Sequence, residues 1–162
     1  MSQAVEEAKG SLPPGLDEDI RIDLPLNAFI PKTYVADENL RLESYRRIAS
    51  ARTGEELAEV RAELVDRYGG PVPAPVEALF EVAKLRALMA AAGIKEAATV
   101  ARNLRIRPIE LEDSRQIRLQ RILPTATWRP ENRTLLIPER AMPKTGAVAW
   151  VTDLLQQLTS AA

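Results

Sequence analysis

Apolar and polar residues change their period several times along this chain, and each change marks an element. Ile20-Arg21-Ile22-Asp23-Leu24 alternates apolar with polar, the period of a short strand. Pro25 and Pro31 bound an extended stretch with Phe29 and Ile30, and Tyr34 follows it. Asp37 then offers an N-cap, and Leu42, Tyr45, Ile48 and Ala49 recur at helical spacing, which predicts a first helix near 38–51. Thr53-x-x-Glu56 has the form of a capping box, in which each side chain reaches the other residue's free backbone N–H. Leu57, Val60, Leu64 and Tyr68 form one apolar stripe behind it. Gly69-Gly70 predicts a stop, because glycine takes up a left-handed conformation at little cost, and Pro71 and Pro73 enforce it. A third helix is expected from about Pro75 to Ala92, ending at Gly93. It is apolar over much of its circumference, as a central helix is.

Beyond Gly93 the period shortens. Thr99-Val100-Ala101 and Leu104-Arg105-Ile106 suggest a hairpin around Arg102-Asn103, although the favoured Asn-Gly turn is missing. Asp113 or Ser114 is placed to cap a short helix over 115–123, while Ile117-Arg118-Leu119 fits a strand as well. Thr127-Trp128-Arg129 and Thr134–Ile137 read as strands around Pro130-Glu131-Asn132. Val148, Val151, Leu155 and Leu158 predict a last amphipathic helix from about Ala147 to Thr159. The expected fold is therefore α+β: a helical N-terminal half packed on a small, mostly antiparallel sheet and closed by a C-terminal helix. Residues 1–19, with Gly10-Ser11-Leu12-Pro13-Pro14-Gly15 and then Asp17-Glu18-Asp19, read as a linker or run-in from a preceding domain, leaving 20–162 as the folded domain.

Composition narrows the chemistry. The 162 residues include no Cys and no His. That removes disulfides, thiolate metal sites, and both Ser-His-Asp and Cys-His catalysis within the chain. Neither a G-x-x-x-x-G-K-[ST] loop nor a G-x-G-x-x-G turn is present. No apolar run approaches the ~20 residues of a membrane span, and the acidic first ten residues are no signal peptide. The sequence is thus expected to be a cytoplasmic, non-enzymatic module with no cofactor, no bound metal and no membrane partner.

Charge is balanced overall, with 22 Lys+Arg against 23 Asp+Glu, yet it is unevenly spread. Residues 1–101 carry 12 basic and 17 acidic side chains, whereas residues 102–140 carry nine Arg against five acids. Arg102, Arg105, Arg107, Arg115, Arg118 and Arg121 are candidate phosphate contacts, but only Trp128 stands near them as a stacking aromatic. On the second predicted helix Glu59, Glu63 and Asp66 are three or four residues apart and share a face. From the pattern alone that face reads as solvated, with an interface as the alternative.

Three pieces of sequence go beyond these patterns: Ile30-Pro31-x-x-Tyr34; Leu40-Arg41-Leu42-x-x-Tyr45-Arg46-Arg47-Ile48-Ala49; and Glu63-Leu64-x-Asp66-Arg67-Tyr68-Gly69. With them, the segment Leu24–Ala92 closely resembles the C-terminal domain of transcription-repair coupling factor (Mfd). Residues 94–162 resemble that family chiefly in order and length, and look like its actinobacterial branch. The resemblance implies a regulatory domain of a large DNA-repair protein that couples stalled transcription to nucleotide excision repair. In that family an ATP-driven translocase in other domains engages DNA and RNA polymerase. The C-terminal domain, without an enzymatic site of its own, docks on an N-terminal module resembling UvrB. Docking masks the surface that recruits UvrA and restrains translocase and ATPase activity until release. The resemblance further implies that Glu63 and Asp66 meet basic residues of that module. Glu59 extends the same face, and Arg67 is a lesser candidate that more readily pairs with Glu63 along the helix or braces the turn. The alternative is a DNA- or polymerase-contacting module that uses the arginine-rich half.

Overall fold

The computed structural model describes residues 20–159, so the linker reading of 1–19 and the last three residues of the expected domain lie outside the described residues. The chain divides into two compact units, one holding residues 26–87 and the other residues 20–25 and 88–159.

The first unit is helical. Helix α1 spans Glu38–Ser50, and the Asp37 side chain accepts a hydrogen bond from the Leu40 backbone N–H, as the cap pattern predicts. Helix α2 spans Gly54–Tyr68 and opens with Thr53 Oγ1 accepting from the Glu56 N–H at 3.1 Å. The return half of the expected capping box is shifted: Glu56 accepts from the N–H of Arg52 rather than that of Thr53. Gly69 ends α2 at φ +92 and ψ 161, so it needs positive φ but lies outside the left-handed helical well. Helix α3 spans Ala74–Ala92, with Pro75 in its first turn. Its residues up to Ala87 belong to this unit. The core of the unit gathers Ile48, Leu57, Val60, Leu64, Val76 and Leu79, all buried. The extended stretch before α1 is tied into that core, because the buried Ile30 N–H donates to the Tyr45 hydroxyl at 2.8 Å.

The second unit is built on a five-stranded sheet in the order β1-β2-β3-β5-β4. The strands are β1 (Arg21–Asp23), β2 (Glu96–Val100), β3 (Asn103–Arg107), β4 (Thr127–Arg129) and β5 (Thr134–Pro138). Only the β1–β2 pairing is parallel, so the sheet is mixed and mostly antiparallel. Register places Ala97 opposite Ile106, Ile106 opposite Leu135, and Leu104 opposite Ile137, which makes the centre of one face apolar and buried. The other face carries Arg21, Glu96, Arg105, Arg107 and Arg129. The β2–β3 turn is Ala101-Arg102, one residue earlier than the pattern predicts. Both residues have positive φ (52 and 67), the conformation a two-residue hairpin turn demands and one that non-glycine residues adopt at a cost.

Helix α4 spans Asp113–Ile122, which settles the strand alternative for Ile117–Leu119. Its N-cap is Glu112, without a side-chain hydrogen bond, rather than Asp113 or Ser114. A 3-10 turn at Glu139–Ala141 was not legible in the pattern. The last helix, α5, spans Ala147–Thr159 and buries Val148, Val151, Leu155 and Leu158. The α+β class with a C-terminal helix therefore holds.

Candidate functional site

The acidic face expected on α2 depends on how that helix is held from behind. Leu57, Val60 and Leu64 lie buried on its inner side. Tyr34 and Tyr68 pack with ring centroids 5.7 Å apart. The Tyr34 hydroxyl donates to the carbonyls of Leu64 (3.2 Å) and Gly69 (2.8 Å), bracing the C-terminal turn, and its burial raises its pKa. Arg61 forms a two-pronged ion pair with Glu77 of α3, and its guanidinium lies 5.7 Å from the centre of the Phe80 ring. Their mutual hydrogen bond raises Arg61 and lowers Glu77 from their ordinary pKa values.

The opposite side of α2 faces solvent. Glu59 and Asp66 are exposed, and among the described residues neither makes an ion pair or a side-chain hydrogen bond. Glu63 lies between them in sequence but leans toward α1. One of its oxygens accepts from Arg47, and Arg67 Nε stands 3.8 Å from the other. The hydrogen bond from Arg47 holds the Glu63 carboxyl below its ordinary pKa; partial burial opposes this, and the charges of Arg47 and Arg67 add to it. The four sequence-predicted residues thus share one exposed helix surface but differ in state. Glu59 and Asp66 are open, whereas Glu63 and Arg67 are engaged within the chain. The Arg67–Glu63 pairing follows the expected four-residue spacing. Arg47, sixteen residues before Glu63, carries no sequence signal for its role.

Four of the six candidate arginines are engaged within the fold, whereas Arg102 and Arg121 are exposed and have no side-chain partner among the described residues. Arg105 and Arg107 converge on Glu96 with Arg21, at 2.9, 2.7 and 2.9 Å. The Glu96 side chain is only 9% exposed, and the hydrogen bond from Arg105, outweighing the effect of burial, lowers its pKa. Arg115 and Arg118 donate to the Leu158 and Gln157 carbonyls near the end of α5, at 2.7 and 2.8 Å. Trp128 is half-buried, with its indole N–H donating to the Ile109 carbonyl at 2.9 Å. Glu96 as the hub of three arginines was missed by sequence reasoning, because its partners come from two other strands, Arg21 from β1 and Arg105 and Arg107 from β3. Among the described residues no helix is long and apolar enough to cross a membrane. No group of three or more His, Cys, Asp or Glu side chains there is placed to hold a metal ion.

Comparison with known proteins adds the following. The TRCF domain family model matches residues 24–120. A transcription-repair-coupling factor of Mycobacterium tuberculosis is 42% identical over 132 residues, covering 81% of this chain and 10% of the relative. That of Escherichia coli is 34% identical over 100 residues, covering 59% of this chain and 9% of the relative. The chain spans about a tenth of the length of these relatives. The higher identity to the mycobacterial sequence agrees with the actinobacterial likeness expected from the sequence. A crystal structure of the C-terminal domain of transcription-repair coupling factor superimposes with a TM-score of 0.69 at 17% identity. It covers 87% of this chain and 89% of the solved one, a likeness of fold.

Proposed function

The chain belongs to the TRCF domain family and has the fold of the C-terminal domain of transcription-repair coupling factors, and from that premise we propose that it is a non-catalytic autoinhibitory clamp. In this reading residues 20–162 dock on the UvrB-like N-terminal module of the same protein. Docking masks the UvrA-recruiting surface and restrains an ATP-dependent translocase carried by other domains, until a stalled RNA polymerase triggers release.

The observation that carries the reading is the acidic outer face of α2. It presents the open carboxylates of Glu59 and Asp66, with Glu63 beside them, on a helix pinned from behind by Tyr34 and Arg61. A rigid, carboxylate-bearing helix suits a cationic partner surface. Polar contacts also suit a switch. Allosteric coupling is typically about 1–3 kcal/mol, enough to bias a docked state and small enough for a competing partner to reverse it.

The test is charge reversal in the intact coupling factor that contains this chain. Glu63→Lys with Asp66→Lys is expected to raise both UvrA capture and basal ATPase. Resting levels of both would contradict the assignment of the face. The arginine-rich half gives less support to a DNA- or polymerase-contacting reading, since Arg105, Arg107, Arg115 and Arg118 already have partners within the second unit.

A further inference from the structure

Among the described residues, Glu63 is the one member of the acidic face whose carboxylate is already occupied by the chain itself. Arg47 sits in the last turn of α1 and donates to one Glu63 oxygen, while Arg67 stands 3.8 Å from the other. Asp66, three residues on, has no such neighbour among the described residues. Both members of the Arg47–Glu63 pair are partly exposed, at 44% and 34%, so solvent screens the contact and nothing locks it shut. A cation that approaches Glu63 from outside has two courses. It displaces Arg47, or it shares the carboxylate at the cost of standing beside a like charge.

Both courses weaken docking, and from them we infer that Arg47 is a built-in competitor for the docking partner, tuning the clamp through Glu63. The inference rests on the docking reading above and adds to it a residue outside α2. Asp66 and Glu59 then supply standing attraction, whereas Glu63 contributes only as far as Arg47 yields it. Arg47 is a positioning residue here, because its effect on docking passes through the Glu63 carboxylate.

The experiment uses the intact coupling factor in an Asp66→Asn background, where a half-loosened clamp lets UvrA capture move in either direction. Arg47→Gln is expected to tighten the clamp and lower UvrA capture by about two- to fivefold, the scale of one exposed ion pair. Arg47→Lys, which keeps the charge but loses the planar fork, is expected to fall between wild type and Arg47→Gln. Glu63→Gln is expected to raise capture, and the double variant Arg47→Gln/Glu63→Gln to match Glu63→Gln alone, since Arg47 then has nothing to compete for. In the 162-residue chain, Arg47→Gln is expected to move the Glu63 carboxyl titration, followed by NMR, up toward the ordinary glutamate range. If Arg47→Gln leaves capture unchanged or raises it while Glu63→Gln raises it, the role of Arg47 is overturned and the docking reading stands. If Glu63→Gln and Asp66→Asn both leave capture at the resting level, the docking reading itself is overturned.

Discussion

Glu96 holds three arginines with one carboxylate, and that makes it the most consequential charge in the second unit. Replacing it with Gln removes the negative charge on β2 that stands between Arg21 of β1 and Arg105 and Arg107 of β3. The expected loss is about 1–3 kcal/mol in urea unfolding at neutral pH, since the arginines retain partial access to water. The pH dependence has a definite sign. The folded-state pKa of Glu96 is depressed, so its contribution is complete above the ordinary value of 4.5 and is lost as pH falls through the lower folded value. Acidification below about pH 5 is therefore expected to narrow the stability gap between wild type and Glu96→Gln. In the first unit, Tyr45→Phe strips the buried Ile30 N–H of its 2.8 Å acceptor and is expected to cost about 1–3 kcal/mol by the same measurement. Such residues were hard to read from sequence because their partners are remote: Glu96 and Arg21 are 75 positions apart. Glu59, Glu63 and Asp66 were legible as a shared face because helical geometry alone brings them together. Their differing engagement was not legible, because it depends on Arg47 from another helix.

Helices were more readable than strands, and capping explains much of the difference. Asp37 and Thr53 each satisfy a backbone N–H three residues on, a local bond that sequence spacing foretells. Thr53→Ala is expected to cost about 1 kcal/mol and to fray the start of α2, visible as faster amide exchange there. Where no side chain caps, as at Glu112, the predicted start shifted by two residues. Strand β2 begins at Glu96, three residues before the pattern suggests, because Glu96-Ala97-Ala98 is buried as a block and shows no alternation. The β2–β3 turn misled for a related reason: Ala101 and Arg102 take positive φ only because the flanking strands impose it. Replacing Ala101-Arg102 with Asn-Gly is expected to relieve that strain and stabilise the chain by about 1–2 kcal/mol, measured as a higher unfolding midpoint.

At the scale of the whole molecule, a net charge of -1 and the internal use of arginines point the same way. Weak or undetectable duplex-DNA binding is expected at physiological salt, and a submicromolar, steeply salt-dependent affinity would favour the alternative reading. Family membership was legible in three short stretches, all of them in the first unit, where the motif residues also carry the packing: Tyr34, Tyr45, Leu64 and Tyr68. The proposed partner of the α2 face is tested by a binding isotherm between this chain and the separately prepared UvrB-like module, repeated with Glu63→Lys/Asp66→Lys. Saturable binding that weakens with added salt and is lost on charge reversal is expected. No binding, or binding indifferent to the reversal, would contradict it.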